Sequence, residues 1–420
     1  MDKFVIHGGK KLKGTVEISG SKNAALPILI AGLLIETGET VIKNVPNLAD
    51  IGTALNLLKH LGVKTLWDNK EHQVRLDASN LINYEAPYDL VRKMRASFLV
   101  MGPLLARLGK AKVSLPGGCV LGPRPVNYHL KAFAALGAKI EDEGGYVFAH
   151  AKKLRGGLIY FDKPSHTGTE NVIMAACLAD GKTTIINAAC DPEVVDVARF
   201  LNQAGAKIKG AGSTVIDIEG VAKLKPVEYS VIPDRLEAGT FMMAAAATGG
   251  QIKIKPRCEN HLEMVIAKMQ NAGSRFTYRT DGLTISHDSP LSAIDITTFP
   301  YPGFPTDLQA SAMAMCCVAD GISHIQETVF TDRFTHVMEL IRLGAEIKVS
   351  GQEAAITGVN NLNGTSVMAS DIRAGAGLVV AALAASGKSE ILRIYHIDRG
   401  YEAIEVKLQE LGADIIRVKT

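Results

Sequence analysis

No run of Lys or Arg stands out in the 420-residue chain, and its formal net charge is only +3. That balance argues against a broad nucleic-acid footprint. The opening Met1-Asp2-Lys3-Phe4-Val5-Ile6-His7 lacks the apolar core of a signal peptide. The most apolar stretch, residues 24–35, is too short to span a bilayer and reads as a buried helix, so no membrane partner is expected. Six cysteines contain no CxxC pair, which points to reduced thiols in a cytoplasmic protein. Eleven histidines show no ligand spacing and no H-E-x-x-H occurs, so neither a metal nor another cofactor is expected. There is no G-x-S-x-G elbow. Gly181-Lys182-Thr183 and Gly387-Lys388-Ser389 look like the ends of P-loops, but the glycine required upstream is Ala176 or Ala382.

What is present is repetition. With 47% hydrophobic and 21% charged residues the chain is globular and long enough for two or three domains. Six times it runs through an Ala/Leu/Met-rich helix, a Gly turn, a β-branched strand, an amphipathic helix, a second Gly turn and further strands. The second turn falls at Gly62, Gly137, Gly205, Gly273, Gly344 and Gly412, and the first at Gly38, Gly109, Gly181, Gly249, Gly321 and Gly387. The period is about 70 residues. In the third unit, residues 169–179 are apolar nearly all round, as a buried helix should be. Residues 183–186 are a strand by β-branching, and Asp191-Pro192-Glu193 starts an amphipathic helix with Asp as N-cap and Pro at the first position.

Each unit therefore reads as βαβαββ, and the fold class is α/β with buried helices inside and sheets outward. The sixth unit lacks a final strand, while residues 1–21 read as two strands with no helix before them. The economical solution lets these N-terminal strands complete the last unit. Two domains of three repeats follow, one over 22–231 and one formed by 1–21 with 232–420.

The helix starts carry polar, mostly charged residues: Lys22-Asn23, Arg95, Ser165-His166, Asp234-Arg235, Thr306-Asp307 and Asp371-Ile372-Arg373. Arg124, Arg333 and Arg399 stand where amphipathic helices begin. A cation at a helix N-terminus opposes the helix dipole and needs another partner. These arginines could cap the neighbouring carboxylates Asp332, Asp371 and Asp398. Seven basic residues at repeat-equivalent places instead point to a cationic cleft for a multiply charged small ligand, such as a phosphate ester or carboxylate. Residues 116–125, Pro-Gly-Gly-Cys-Val-Leu-Gly-Pro-Arg-Pro, form a shaped loop in which Cys119 lies five residues before Arg124. A nearby cation raises thiol reactivity, so Cys119 is a candidate catalytic thiol. Cys177, Cys190, Cys258, Cys316 and Cys317 sit in or beside apolar patterns and read as small core hydrophobes.

Long segments resemble one family across the whole chain. They include Ile18-Ser19-Gly20-Ser21-Lys22-Asn23-Ala24-Ala25-Leu26-Pro27, Met94-Arg95-Ala96-Ser97, the Cys119 loop through Val126, Pro233-Asp234-Arg235-Leu236-Glu237, Phe304-Pro305-Thr306-Asp307, Glu327-Thr328-Val329-Phe330 and Tyr395-His396-Ile397-Asp398-Arg399-Gly400-Tyr401-Glu402. The chain resembles the UDP-N-acetylglucosamine enolpyruvyl transferases. The resemblance implies a two-domain inside-out α/β barrel with the active site in the cleft between the domains. It implies transfer of enolpyruvyl from phosphoenolpyruvate to the 3-hydroxyl of UDP-N-acetylglucosamine, the first committed step of peptidoglycan synthesis.

By family role Cys119 is the proton donor and the thiol alkylated by fosfomycin. Lys22, Arg124 and Arg399 hold phosphate and carboxylate, and Asn23 and Asp307 contact the sugar, with Asp307 the base on its hydroxyl. Arg95, Arg124, Pro125, Val126, Asn127, Tyr128, Lys163, Pro164, Ser165, His166 and Val329 line the nucleotide-sugar site, and Arg333 and Arg373 support closure or the anion field. The family commonly has Asp where this chain has Asn127, and Ser-Val-Gly-Ala-Thr where it has Ser165-His166-Thr167-Gly168-Thr169. The alternatives are the sibling shikimate-pathway enolpyruvyl transferase and, from another class, a DNA sliding clamp built from sixfold repeats.

Overall fold

A computed structural model describes residues 2–115 and 126–419. The described residues divide into two compact units, one over 2–19 and 233–419, the other over 20–115 and 126–232. The chain crosses between them at Ser19–Gly20 and at Ile232–Pro233.

Six four-stranded sheets share one strand order. In the third repeat the order is Leu158–Tyr160, Lys182–Ile186, Val215–Glu219 and Lys207–Lys209, with the first pair parallel and the others antiparallel. The parallel pair is joined through helix His166–Ala176, and helix Pro192–Gln203 connects the second strand to the hairpin. This is the βαβαββ unit. The glycine period has a backbone cause: all twelve turn glycines have positive φ, for example Gly205 at 105° and Gly181 at 91°. Side chains with a Cβ rarely adopt that region, so the two turns of each unit demand glycine.

The N-terminal strands behave differently from the expectation. Lys3–His7 does lie in the last sheet, between Lys388–Leu392 and Asp414–Val418. Lys13–Glu17 instead pairs in parallel with Gln251–Lys255 and opens the fourth sheet. Glu228–Ser230 opens the first sheet by pairing with Thr40–Lys43. A repeat that starts with a helix needs an opening strand from elsewhere, and the closest free segment in the chain's path supplies it. Only Lys3–His7 completes the sixth unit.

Each unit has its own core. In one, helices Lys22–Ala31, Met101–Leu108 and His166–Ala176 are largely buried; in the other, Arg235–Ala247, Gln309–Cys316 and Ile372–Ala384. Gln309–Cys316 is buried along its whole length. These helices are thin, and their backbones come close together. A Cβ on Gly377 would stand 2.7 Å from the Ala310 carbonyl oxygen. Overpacking of that kind costs about 1–3 kcal/mol. Buried apolar helices are the opposite of the basic, water-facing helices a DNA clamp needs. Among the described residues no helix is long and apolar enough to cross a membrane.

Candidate active site

In the unit formed by 2–19 and 233–419, Pro305 precedes a single 3-10 turn, Thr306–Leu308, that leads into the buried helix Gln309–Cys316. That turn places Asp307 at the end of the core. Arg333 Nη2 donates to Asp307 Oδ1 at 2.7 Å, while Arg373 reaches Oδ2 through Nε at 3.1 Å and Nη2 at 3.0 Å. Both arginines are nearly fully buried (4% and 6% exposed), whereas the Asp307 side chain keeps 28% of its surface open. The arrangement is an open carboxylate backed by two buried cations, with side-on Arg–carboxylate geometry that orients it.

The sequence neighbours do something else. Asp371 caps helix Ile372–Ala384 by accepting from the Arg373 and Ala374 amides at 2.9 and 3.0 Å. Asp398 receives both terminal nitrogens of Arg417, at 2.6 and 3.0 Å. Arg333 precedes its helix by four residues, since that helix begins at Val337, and Arg399 closes a 3-10 turn, Ile394–Arg399, ahead of helix Ile404–Glu410. Neither is at a helix start.

Two further groups fix this geometry. Tyr401, 1% exposed, shares a 2.8 Å hydrogen bond with Thr240 Oγ1 and receives Arg373 Nη1 at 3.3 Å. Burial works against the Arg373 charge, but Asp307 and Tyr401 push its basicity above the ordinary value. Glu327, fully buried, accepts from Thr298 Oγ1, Val329 N and Phe330 N at Oε1 (2.8, 2.8 and 3.1 Å) and from Thr306 Oγ1 at Oε2 (2.8 Å). One carboxylate thereby registers the backbone at Val329 with the turn that carries Asp307.

In the other unit, Ser21 caps helix Lys22–Ala31 by accepting from Ala24 N at 3.3 Å. Lys22, the first helical residue, places Nζ 3.1 Å from Asp50 Oδ2, with the two side chains only 9% and 7% exposed. Asn23 is half-buried beside it. Arg95 opens the 3-10 turn Arg95–Val100 and is half-buried. Val126 is buried at the cap of helix Asn127–Ala135, Asn127 is exposed, and the Tyr128 ring meets Phe161 edge-on with centroids 5.9 Å apart.

Lys163 and Pro164 are exposed, and Ser165 caps helix His166–Ala176 through a 3.2 Å bond from Gly168 N. His166 Nε2 sits 3.1 Å from Glu170 Oε1, a carboxylate 1% exposed. Burial opposes protonation there, but Glu170, Asp191 and Glu193 outweigh it and hold the imidazole well above its ordinary basicity. Cys119, Arg124 and Pro125 lie outside the described residues.

The family profile described as EPSP synthase (3-phosphoshikimate 1-carboxyvinyltransferase) matches residues 6–408. The UDP-N-acetylglucosamine 1-carboxyvinyltransferase of Desulfatibacillum aliphaticivorans is 52% identical over 419 residues, covering 100% of both chains, and that of Geobacter metallireducens is 53% identical with the same coverage. The chain belongs to the UDP-N-acetylglucosamine 1-carboxyvinyltransferase family. The enolpyruvyl transferase NikO from Streptomyces tendae resembles this family member with a TM-score of 0.90 at 25% identity, covering 100% of this chain and 99% of that one. An EPSP synthase from Acinetobacter baumannii, 18% identical with a TM-score of 0.77 and 100% coverage of both chains, shares the fold. The fold is thus the two-domain α/β fold of the enolpyruvyl transferases.

For this 1-carboxyvinyltransferase family member, the structure gathers Asp307, Arg333 and Arg373 at one point and ties Val329 to them through Glu327. It also pairs Lys22, next to Asn23 in the chain, with Asp50. Sequence reasoning missed Asp50, Glu327, Tyr401 and Thr240 as parts of the site. Glu327 and Tyr401 lie inside the segments that carried the resemblance, and that was the only available signal. Asp50 and Thr240 had none.

Proposed function

We propose that this protein transfers the enolpyruvyl group of phosphoenolpyruvate to the 3-hydroxyl of UDP-N-acetylglucosamine and releases phosphate. The observation that carries this reading is full-length identity above 50% to proteins named for that activity, combined with the paired-arginine setting of Asp307. On this reading the protein catalyses the first committed step of peptidoglycan synthesis in the cytoplasm. It thereby serves cell-wall biogenesis, cell shape and division, and is a target of fosfomycin.

Both substrates are anions, so cations do most of the binding. Lys22, Arg124 and Arg399 neutralise the phosphate and carboxylate of phosphoenolpyruvate. Asn23 and Asp307 hold the sugar, and Asp307 takes the proton of the 3-hydroxyl as its oxygen bonds to C2 of phosphoenolpyruvate. Cys119 gives a proton to C3 in the same step, so the product is a tetrahedral phospho-ketal with a methyl group. Loss of a proton from that methyl and of phosphate from C2 restores the double bond. Protonating an alkene carbon develops positive charge at C2, which a positioned acid and a nearby carboxylate both assist. Arg95, Val126 to Tyr128, Lys163 to His166 and Val329 line the nucleotide sugar.

The test is phosphate release from phosphoenolpyruvate with UDP-N-acetylglucosamine, run beside shikimate 3-phosphate. Release with the nucleotide sugar alone supports the reading. Release with shikimate 3-phosphate alone would replace it with the sibling activity.

A further inference from the structure

Three of the segments assigned above to the nucleotide sugar are tied together by two buried residues with no assigned part in it. His129 is 6% exposed and Asn171 is fully buried. Asn171 donates its amide nitrogen to the Phe98 carbonyl at 3.2 Å and lies 3.0 Å from His129 Nδ1, while its Oδ1 accepts from Gly102 N at 2.8 Å. His129 Nε2 is 3.4 Å from Thr167 Oγ1, and its ring stands edge-on to Phe98 at 5.3 Å. Phe98 belongs to the turn opened by Arg95, His129 to the helix opened by Asn127, and Thr167 follows Ser165-His166.

The hydrogen bonds decide where the proton sits. Gly102 N can only donate and the Phe98 carbonyl can only accept, which fixes the orientation of the Asn171 amide. Its nitrogen is a donor, so His129 Nδ1 must be the bare, accepting nitrogen. The ring proton is then on Nε2, directed at Thr167 Oγ1. Burial, reinforced by the Arg95 charge, pushes the imidazole down to about 3, so it is neutral in ordinary buffers.

We propose that His129 and Asn171 are the positioning pair of the nucleotide-sugar site, holding the Arg95, Asn127-Tyr128 and Ser165-His166 segments in one register through a neutral Nε2–H imidazole. The proposal rests on the function given above. It differs from a purely structural role in two ways: the tautomer is specified, and the loss falls on one substrate.

Asn171→Asp keeps the side-chain shape but cannot donate to Phe98 O or to His129 Nδ1. The histidine proton must then move to Nδ1. In protein labelled with 15N-histidine, NMR should show the Nε2–H tautomer for His129 in the wild type and Nδ1–H in the variant. The KM for UDP-N-acetylglucosamine should rise about tenfold, while the KM for phosphoenolpyruvate stays within about twofold. His129→Gln, whose amide can accept from Asn171 and donate to Thr167, should recover most of the loss shown by His129→Leu. If Asn171→Asp does not fold, the Gln and Leu variants carry the same comparison. An Nδ1–H tautomer in the wild type, an unmoved nucleotide-sugar KM, or equal loss toward both substrates would overturn the proposal. Failure of the function itself would show separately, as a wild type that releases no phosphate with UDP-N-acetylglucosamine, and the wild-type tautomer remains readable in that case.

Discussion

Replacing Asp307 by Asn keeps the shape of the side chain and removes the carboxylate that Arg333 and Arg373 both bond. Both guanidiniums are nearly fully buried, so each would be left facing the other's charge. Breaking a fully buried ion pair from one side costs about 3–5 kcal/mol. The Asp307 side chain is 28% exposed, so water screens part of this, and a loss of about 2–4 kcal/mol is expected for that unit. For a unit of this size, each kcal/mol moves the melting temperature by about 2–4 °C, so the transition should fall by about 4–16 °C.

Added inorganic phosphate should restore more of that loss in Asp307→Asn than in the wild type, because an anion can re-enter between the two arginines. Turnover should drop by at least about a hundredfold, the usual scale of a lost general base, while nucleotide-sugar binding survives in part. Asp307→Glu is the control: it keeps the charge, so most stability should remain, while the shifted carboxylate still loses turnover. Calorimetry and a phosphate-release assay read both effects. An unchanged melting temperature would show that the carboxylate does not hold the two arginines. Near-normal turnover would remove Asp307 from the mechanism.

Cys119 should react with fosfomycin or iodoacetamide well ahead of the other five thiols, since burial raises the basicity of Cys177, Cys258, Cys316 and Cys317, and burial with Asp191 does so for Cys190. Cys119→Ser should lose labelling and most turnover, whereas activity in Cys119→Asp without fosfomycin sensitivity would mark the residue as an acid; peptide mapping that finds another cysteine labelled first would refute the assignment. Burial lowers His129 to about 3 and His336 to about 4, and below about pH 6.5 the unfolded chain takes up protons that these folded imidazoles refuse, so each histidine removes about 1.4 kcal/mol of stability per pH unit. Burial raises Asp196 to about 6 and Glu237 to about 7, and these carboxyls act in the opposite direction over the same range. Between pH 6.5 and 5 the denaturant midpoint should therefore move less toward instability in His129→Gln and His336→Gln than in the wild type; identical pH dependence in all three would contradict this.

The repeat was legible because its punctuation is local. A left-handed turn needs glycine whatever surrounds it, so φ of 105° at Gly62 and 94° at Gly344 leave a mark in the sequence. Strand partnership leaves no such mark. Lys13–Glu17 would alternate in the same way in either sheet, and only the path of the chain assigns it to the fourth. Ion pairing is equally silent. Asp332 and Asp371 are nearest in sequence to Arg333 and Arg373, yet both arginines meet Asp307, 26 and 66 residues away. A lone histidine such as His129 on an amphipathic helix reads as core, and the segments it joins become visible only once the helices are packed. Arg373 could be picked out because its place at a helix start is wrong for the helix dipole; Arg333 does not stand at a helix start, and the residues around the two were found only through long matched segments.

Basic residues at helix starts need a counter-group. A basic residue at a helix N-terminus costs about 0.3–1 kcal/mol in the dipole field. The structure shows the compensating group at four of these starts: Asp50 for Lys22, Glu170 for His166, the Tyr301 ring 5.3 Å from Arg235, and Asp307 for Arg373. Asp307 is itself a helix start, the fifth, with the charge reversed. The acidic start answers the basic start of the next repeat and draws in Arg333 as well. Equivalent places in neighbouring repeats thus carry opposite charges at Asp307 and Arg373, and their pairing leaves a partly open carboxylate backed by buried guanidiniums.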